Sequence, residues 1–184
     1  MPTPAVRLLS PSDDAHLVPS LAALHAACIR HDSMIATFLP PLKKDKLLMY
    51  WKEMIEDASA GRRLIAILLD ESEPGTVAKG AELKGVVMLL MPRTETARHQ
   101  GHIQKLMVSV ECRREKGATA LMRFIEREAV NRGRKLMLLS AETQSQGELL
   151  FPKLGYVKCG RVPGFHMSPT GDLMDHVLFY KQFL

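Results

Sequence analysis

Aromatic residues are few in this chain of 184: one Trp, three Tyr and six Phe, 5 % of positions. Surfaces that grip single-stranded nucleic acid interleave aromatics with cations, so this sparse scatter makes nucleic acid the weakest partner class to expect. Cysteine is scarcer. Cys28, Cys112 and Cys159 stand far apart and form neither a CxxC pair nor a zinc spacing. Three free thiols in a reducing, cytoplasmic compartment are the plain expectation. The seven histidines show no HExxH or HxH spacing, so no metal site is expected. No apolar run approaches the ~18 residues of a membrane helix, and the longest, Leu64–Leu69 and Val86–Met91, are strand-sized. Met1–Ala5 lacks a charged start leading into an apolar stretch, so neither a secretory signal nor a membrane partner is expected.

What is present is an ordinary globular composition, 46 % hydrophobic and 24 % charged. The length suits a single domain over 1–184. Such a domain buries roughly two-thirds of the surface its unfolded chain exposes and needs no disulfide or metal. The net charge is +5, and its distribution says more than its total. From Arg98 to Lys135 there are ten Lys/Arg against four Asp/Glu, while the rest has fifteen against sixteen. The whole excess therefore lies in one segment, which suits an anionic partner. A small phosphorylated ligand fits this better than nucleic acid.

Periodicity orders the chain. Ala5–Ser10 reads as a first strand. Helical spacing runs over Pro19–Arg30 and Lys43–Ala60, the second with Trp51 and Met54 on its core face and Gly61 as its stop. Arg62–Asp70, Gly85–Met91, Gly101–Val108 and Arg134–Ser140 read as strands. Ala118–Gly133 and Gln144–Leu154 read as helices, the latter ended by Gly155. Tyr156–Arg161 and Val177–Phe183 close the chain around a turn-rich stretch at Pro163–Gly171. The order β-α-α-β-β-β-α-β-α-β-β, with strands apolar on both faces, predicts a sheet covered by helices on both sides. Residues 101–140 should form a parallel crossover.

Between the strand Gly101–Val108 and the next helix lies Ser109–Gly117, which holds Arg113, Arg114 and Lys116. A loop feeding a helix N-terminus presents unpaired N–H groups and the positive end of the helix dipole. Phosphate binding and a plain solvated basic loop both fit this composition. Three blocks, Gln104–Val108 (QKLMV), Arg113–Met122 (RREKGATALM) and Leu149–Tyr156 (LLFPKLGY), resemble the acyl-CoA-binding core of the GNAT N-acetyltransferase superfamily. With QKLMV, the stretch Val162–Lys181 resembles its tabtoxin-resistance branch, and the likeness extends over about residues 30–184.

The resemblance implies an α/β fold: a mixed, mostly antiparallel sheet with one splayed parallel pair and helices on both faces. It implies acetyl transfer from acetyl-CoA, the cosubstrate, to an amine, or less often a hydroxyl, of a small molecule. The backbone of Leu106, Met107 and Val108 would pair with the pantetheine arm, and Met107 or Val108 would polarise the thioester carbonyl. The amides from Arg113 and Arg114 through Lys116, Gly117, Ala118 and Thr119 would hold the pyrophosphate. Gln144 falls where relatives often place an Asn that touches coenzyme A. The acceptor pocket would draw on Ala26–Phe38, Pro92–Gln100 and Pro163–Asp175, the last including His166 and Asp172.

The chain departs from the family pattern at four positions. Lys116 stands where the phosphate loop has its first Gly; a positive φ there would cost roughly 1 kcal/mol relative to Gly. His102 and Ser140 replace acids on neighbouring strands. His102 is a candidate general base, since an unperturbed imidazole titrates near ~6.5, and strand alternation groups it with Gln104 and Leu106. Phe151 replaces a Tyr that protonates the leaving thiolate, which leaves water or Tyr156. These departures keep open a protein that has the fold but altered chemistry, or one that binds without catalysis. Cys112 beside two arginines reads first as an incidental thiol, and Ser168–Gly171 as turn chemistry. Monomer and homodimer are equally compatible with the strand-rich C-terminus.

Overall fold

In a computed structural model, which describes residues 4–32, 34, 37–70, 77–112 and 116–184, seven strands form one sheet. They are β1 (Pro4–Leu8), β2 (Arg63–Asp70), β3 (Leu83–Leu90), β4 (Gln100–Val108), β5 (Leu136–Glu142), β6 (Val157–Met167) and β7 (Leu173–Gln182). Their order is β1-β2-β3-β4-β5-β7-β6. Every neighbouring pair is antiparallel except β4 and β5. Four helices complete the fold: α1 (Val18–Asp32), α2 (Lys44–Ser59), α3 (Gly117–Asn131) and α4 (Gln146–Lys153). The expected mixed α/β architecture is observed, and α3 links the parallel strands.

The central strands bury both faces, as their unbroken apolar runs require. On one face Ile65, Ile67 and Leu69 of β2 meet Leu21, Trp51 and Ile55 of α1 and α2. Trp51 is 0 % exposed, so it is core and not part of a ligand box. On the other face Ala66 and Leu68 meet Leu121, Met122 and Ile125 of α3. The glycine stops follow their helices as expected, Gly61, Gly133 and Gly155 all having positive φ.

One boundary differs. The stretch Pro163–Gly171, expected to be a turn, is mostly strand, because β6 continues to Met167. Proline breaks a central ladder but not an edge one, and β6 is the sheet edge. The register shifts between Val162 and His166, where Gly164 has φ 59°. The turn shrinks to Ser168–Asp172, closed by Ser168 N–H to the Asp172 carbonyl at 2.8 Å. There the Thr170 hydroxyl donates to the Asp172 carboxylate at 2.8 Å.

Helices α1 and α2 pack over β2–β4. On that same face of β5 and β7 the sequence places Leu138, Ser140 and Glu142 beside His176, Leu178 and Tyr180. Their alternates, Met137, Leu139, Ala141, Val177 and Phe179, are buried under α3 and α4.

Candidate functional site

The site starts from a register error in β4. Val86 pairs with Met107 and Met88 with Gln104, so Lys105 and Leu106 together face Val87 alone. This is a β-bulge, which bends and twists its strand, and Lys105 takes φ 54° within it. Parallel pairing with β5 covers only Gln100–His102 against Leu136–Leu138. Beyond Leu138, β5 pairs with β7 alone. The two parallel strands thus part just where the bulge falls.

The bulge corrects the simple alternation. His102 and Gln104 remain on the face toward α1 and α2. Leu106 and Val108 pack with the opposite cluster, and Met107 is buried in the first. Ser109 N–H donates to the Lys84 carbonyl of β3 at 2.7 Å. By alternation the Val108 N–H and C=O point the other way, into the gap left by β5. Of Met107 and Val108, it is Val108 whose amide faces the gap.

The loop leaving β4 returns as α3. A Cβ on Gly117 would come within 2.8 Å of Leu68 Cδ2 and 3.6 Å of Val108 Cγ1. Any side chain at 117 would therefore have to displace the buried Leu68 methyl, so glycine suits a helix that starts this close to the end of β4. The first α3 bond runs from Ala120 N–H to the Lys116 carbonyl at 2.9 Å. The amides of Gly117, Ala118 and Thr119 thus have no partner within the helix. Lys116 has φ 64°, the left-handed conformation in which glycine is favoured. Arg113 and Arg114 lie outside the described residues. Two cations of segment 98–135 are engaged away from this loop. Arg132 pairs with Glu128 at 2.7 Å, and Arg134 donates to the Pro92 carbonyl at 2.6 Å.

Across the gap, Ser140 is exposed on the side away from α3. Its Oγ lies 3.3 Å from Nδ1 of His176, a buried residue whose Nε2 has no partner. Burial, and then the neighbouring His166, lower the His176 pKa to about 4. The His166 and His176 rings lie 4.7 Å apart, with Phe165 against both. Glu142 stands opposite His176 in the ladder, and burial raises its carboxyl above the usual range. His102 occupies the last paired rung, its Nε2 3.3 Å from Gln100 Oε1, and burial lowers its pKa.

His176 and Glu142 were not among the sequence candidates. The signal was available in Asp175–Lys181, where apolar Val177 and Phe179 assign the even positions to the opposite face. Gln144 has φ 64° in the turn before α4, where its N–H donates to Glu148 Oε2 at 2.7 Å.

Tyr156 is not brought to this group. It is 4 % exposed in the cluster under α3 and α4, with its ring 5.8 Å from Phe151. Burial and the nearby Glu126 raise its hydroxyl pKa, which makes it a poorer proton donor. Lys181, 5.4 Å from its ring centre, pairs with Glu126 at 2.9 Å.

Comparison with known proteins bears on both fold and family. The family profile described as an acetyltransferase (GNAT) domain matches residues 39–166. Among solved structures, the ribosomal-protein-S5-alanine acetyltransferase from Vibrio fischeri superposes with a TM-score of 0.75 at 15 % identity, covering 97 % of this chain and 92 % of that one. A protein provisionally described as a phosphinothricin N-acetyltransferase gives a TM-score of 0.74 at 15 % identity, covering 98 % of both chains. An acetyltransferase-fold protein from Salmonella typhimurium, solved with its cofactor acetyl-CoA, gives 0.70 at 13 % identity, covering 97 % and 93 %. At such identities the likeness concerns the fold, while the profile match concerns the family.

Proposed function

The chain belongs to the GNAT acetyltransferase domain family, and on that premise we propose that it transfers an acetyl group from acetyl-CoA to the amine of a small molecule by direct attack. The observation that carries this reading is the conjunction at the end of β4. A backbone edge released from β5 stands beside a helix start whose first three amides have no acceptor within the helix. The donor set fits the group. Gly117, Ala118 and Thr119 would hold the pyrophosphate by their N–H groups, and the free edge of Leu106–Val108 would pair with the pantetheine arm. Acetyl-CoA would supply the activated thioester.

The chain's own residues then have separable tasks. The Val108 N–H polarises the thioester carbonyl oxygen. Ser140, through His176, accepts the proton lost by the attacking nitrogen. His102 is turned toward Gln100 and serves as a wall of the site. Neither Phe151, which has no proton to give, nor the buried Tyr156 would protonate the departing thiolate, so water would supply that proton. A cytoplasmic protein acting alone or as a homodimer, closest to the tabtoxin-resistance branch, completes the proposal. The branch assignment rests on the QKLMV and 162–181 blocks.

Titration with acetyl-CoA, read as a thermal shift and followed by thiol release with an amine panel, tests this reading. A shift at micromolar coenzyme and amine-dependent thiol release are expected. No shift at millimolar acetyl-CoA would sink it. A second reading, a fold retained with altered chemistry, draws on the left-handed Lys116 in the phosphate loop and on Phe151. It expects a shift without thiol release for any amine.

A further inference from the structure

We propose that the acceptor is a small amine that also carries an oxyanion, in the simplest case a carboxylate, held by Lys105 and Gln104 beside Arg63 while its nitrogen points toward Ser140. This names the substrate class of the acetyl-transfer site and rests on that reading.

The argument begins with the charges on the face shared by α1 and α2. Lys105 is half-buried in the β4 bulge. No carboxylate among the described residues lies within ion-pair distance of it. Arg63 is 7 % exposed and donates from Nη1 to Gln104 Oε1 at 2.7 Å, next to Lys105 in the chain. Its nearest acid, Asp57, lies 3.7 Å from Nε and is shared with Arg62, which it meets at 2.7 Å. One acid thus faces two guanidiniums, and the ammonium of Lys105 adds a further uncompensated charge. Buried cations without partners are costly, and an anionic ligand group removes that cost. Gln104 accepts from Arg63 through its oxygen and so keeps its amide N–H donors for the same ligand.

The surrounding groups agree. His25, 0 % exposed, has no partner for either ring nitrogen among the described residues, and burial with the Lys105 charge lowers its pKa to about 4. Burial and Arg63 lower the Lys105 pKa, and burial and then Lys105 lower that of His166 on β6. Positive potential therefore gathers at the β4 end of the site. The β5–β7 end carries Ser140, His176 and the carboxyl of Glu142. That polarity complements a molecule with an anion at one end and an amine at the other.

The test uses matched sets: α-, β- and γ-amino acids, each with its amide and its decarboxylated amine. In the wild-type protein the acids should exceed their amides in kcat/KM by about tenfold or more, chiefly through KM, as expected for a charge-assisted contact. K105M should abolish that preference by lowering kcat/KM for the acids alone, and K105E should reverse it toward diamines. Equal kcat/KM for acids and amides in the wild type, or equal losses for both in K105M, would overturn the inference. Calorimetry of the coenzyme-free protein with the same sets reads the preference without turnover. A protein that prefers the amides yet shifts with acetyl-CoA keeps its acetyl-transfer role and loses this inference. One that binds the acids without responding to acetyl-CoA does the reverse.

Discussion

The two faces of the β4–β5–β7 region obey different rules. Under α3 and α4, Lys181 meets Glu126 at 2.9 Å and the Leu154 carbonyl at 2.8 Å, over the rings of Tyr156 and Phe183, while the Tyr156 hydroxyl and Glu126 Oε1 have no partner among the described residues. On the other face, His176 and His25 keep unpaired nitrogens, Lys105 has no acid partner among the described residues, and Ser140 stands open. Buried polar groups left unpaired reduce stability, and they persist where a ligand completes them. What distinguishes the two faces is access: Ser140 is exposed and Lys105 half-buried, whereas Tyr156 and Glu126 are closed in.

The contrast is broken most sharply by deleting a polar group on each side. His176→Phe keeps a ring beside Phe165 and His166 and should lower kcat on the order of 10³-fold, the scale of general-base loss. Tyr156→Phe should change kcat by no more than about twofold. A large effect from Tyr156 in steady-state rates would move the proton chemistry to the other face.

Acid tests the same division. His25 and His176 are held neutral when folded, with pKa values of about 4, whereas an unfolded His titrates near ~6.5. The unfolded state thus takes up these protons first. Their contribution to stability is full above about pH 6.5, declines as pH falls toward 4, and is constant below. His25 alone accounts for about 3 kcal/mol of that loss. Urea midpoints from pH 7 to 4 should show it, and His25→Phe should flatten the slope by about one proton.

Glu126→Gln leaves Lys181 without its charge partner and should cost about 2 kcal/mol in denaturant unfolding, with the acceptor preference unchanged. The smallest effect is at the phosphate loop. Lys116→Gly relieves a left-handed backbone and should stabilise by about 0.5–1 kcal/mol, or about 2–3 °C in Tm. A drop in Tm would mean that the lysine side chain contributes more than its backbone costs.

Much of this is legible in the sequence. Arg63–Asp70, Leu83–Leu90 and the helix over Gly117–Asn131 lie within two residues of where periodicity put them. The stops at Gly61, Gly133 and Gly155 were read from residue type alone. The cost of Lys116 was conditional on a positive φ, and φ is 64°. The site was read less well. Lys105 looked like one cation in a basic segment, because nothing local marks a bulge. Grouping Leu106 with His102 assumed unbroken alternation. Pro163 reads as a turn residue because edge position is a property of the sheet and not of the residue. His176 was passed over, although alternation with Val177 and Phe179 could have singled it out.

By itself the sequence determined the order of elements, their core faces, the ends of the helices and the family. The first three follow from residue size, polarity and backbone preference acting over a few neighbours, and the family from the likeness of the blocks at 104–108, 113–122 and 149–156. Tertiary structure alone decided that β4 carries one extra residue against Val87, that β5 parts from it at Leu138, and that Ser140 meets His176. Pairing between distant segments is settled by the mutual fit of whole strands and their hydrogen-bond ladders, and no short window of residues contains that information.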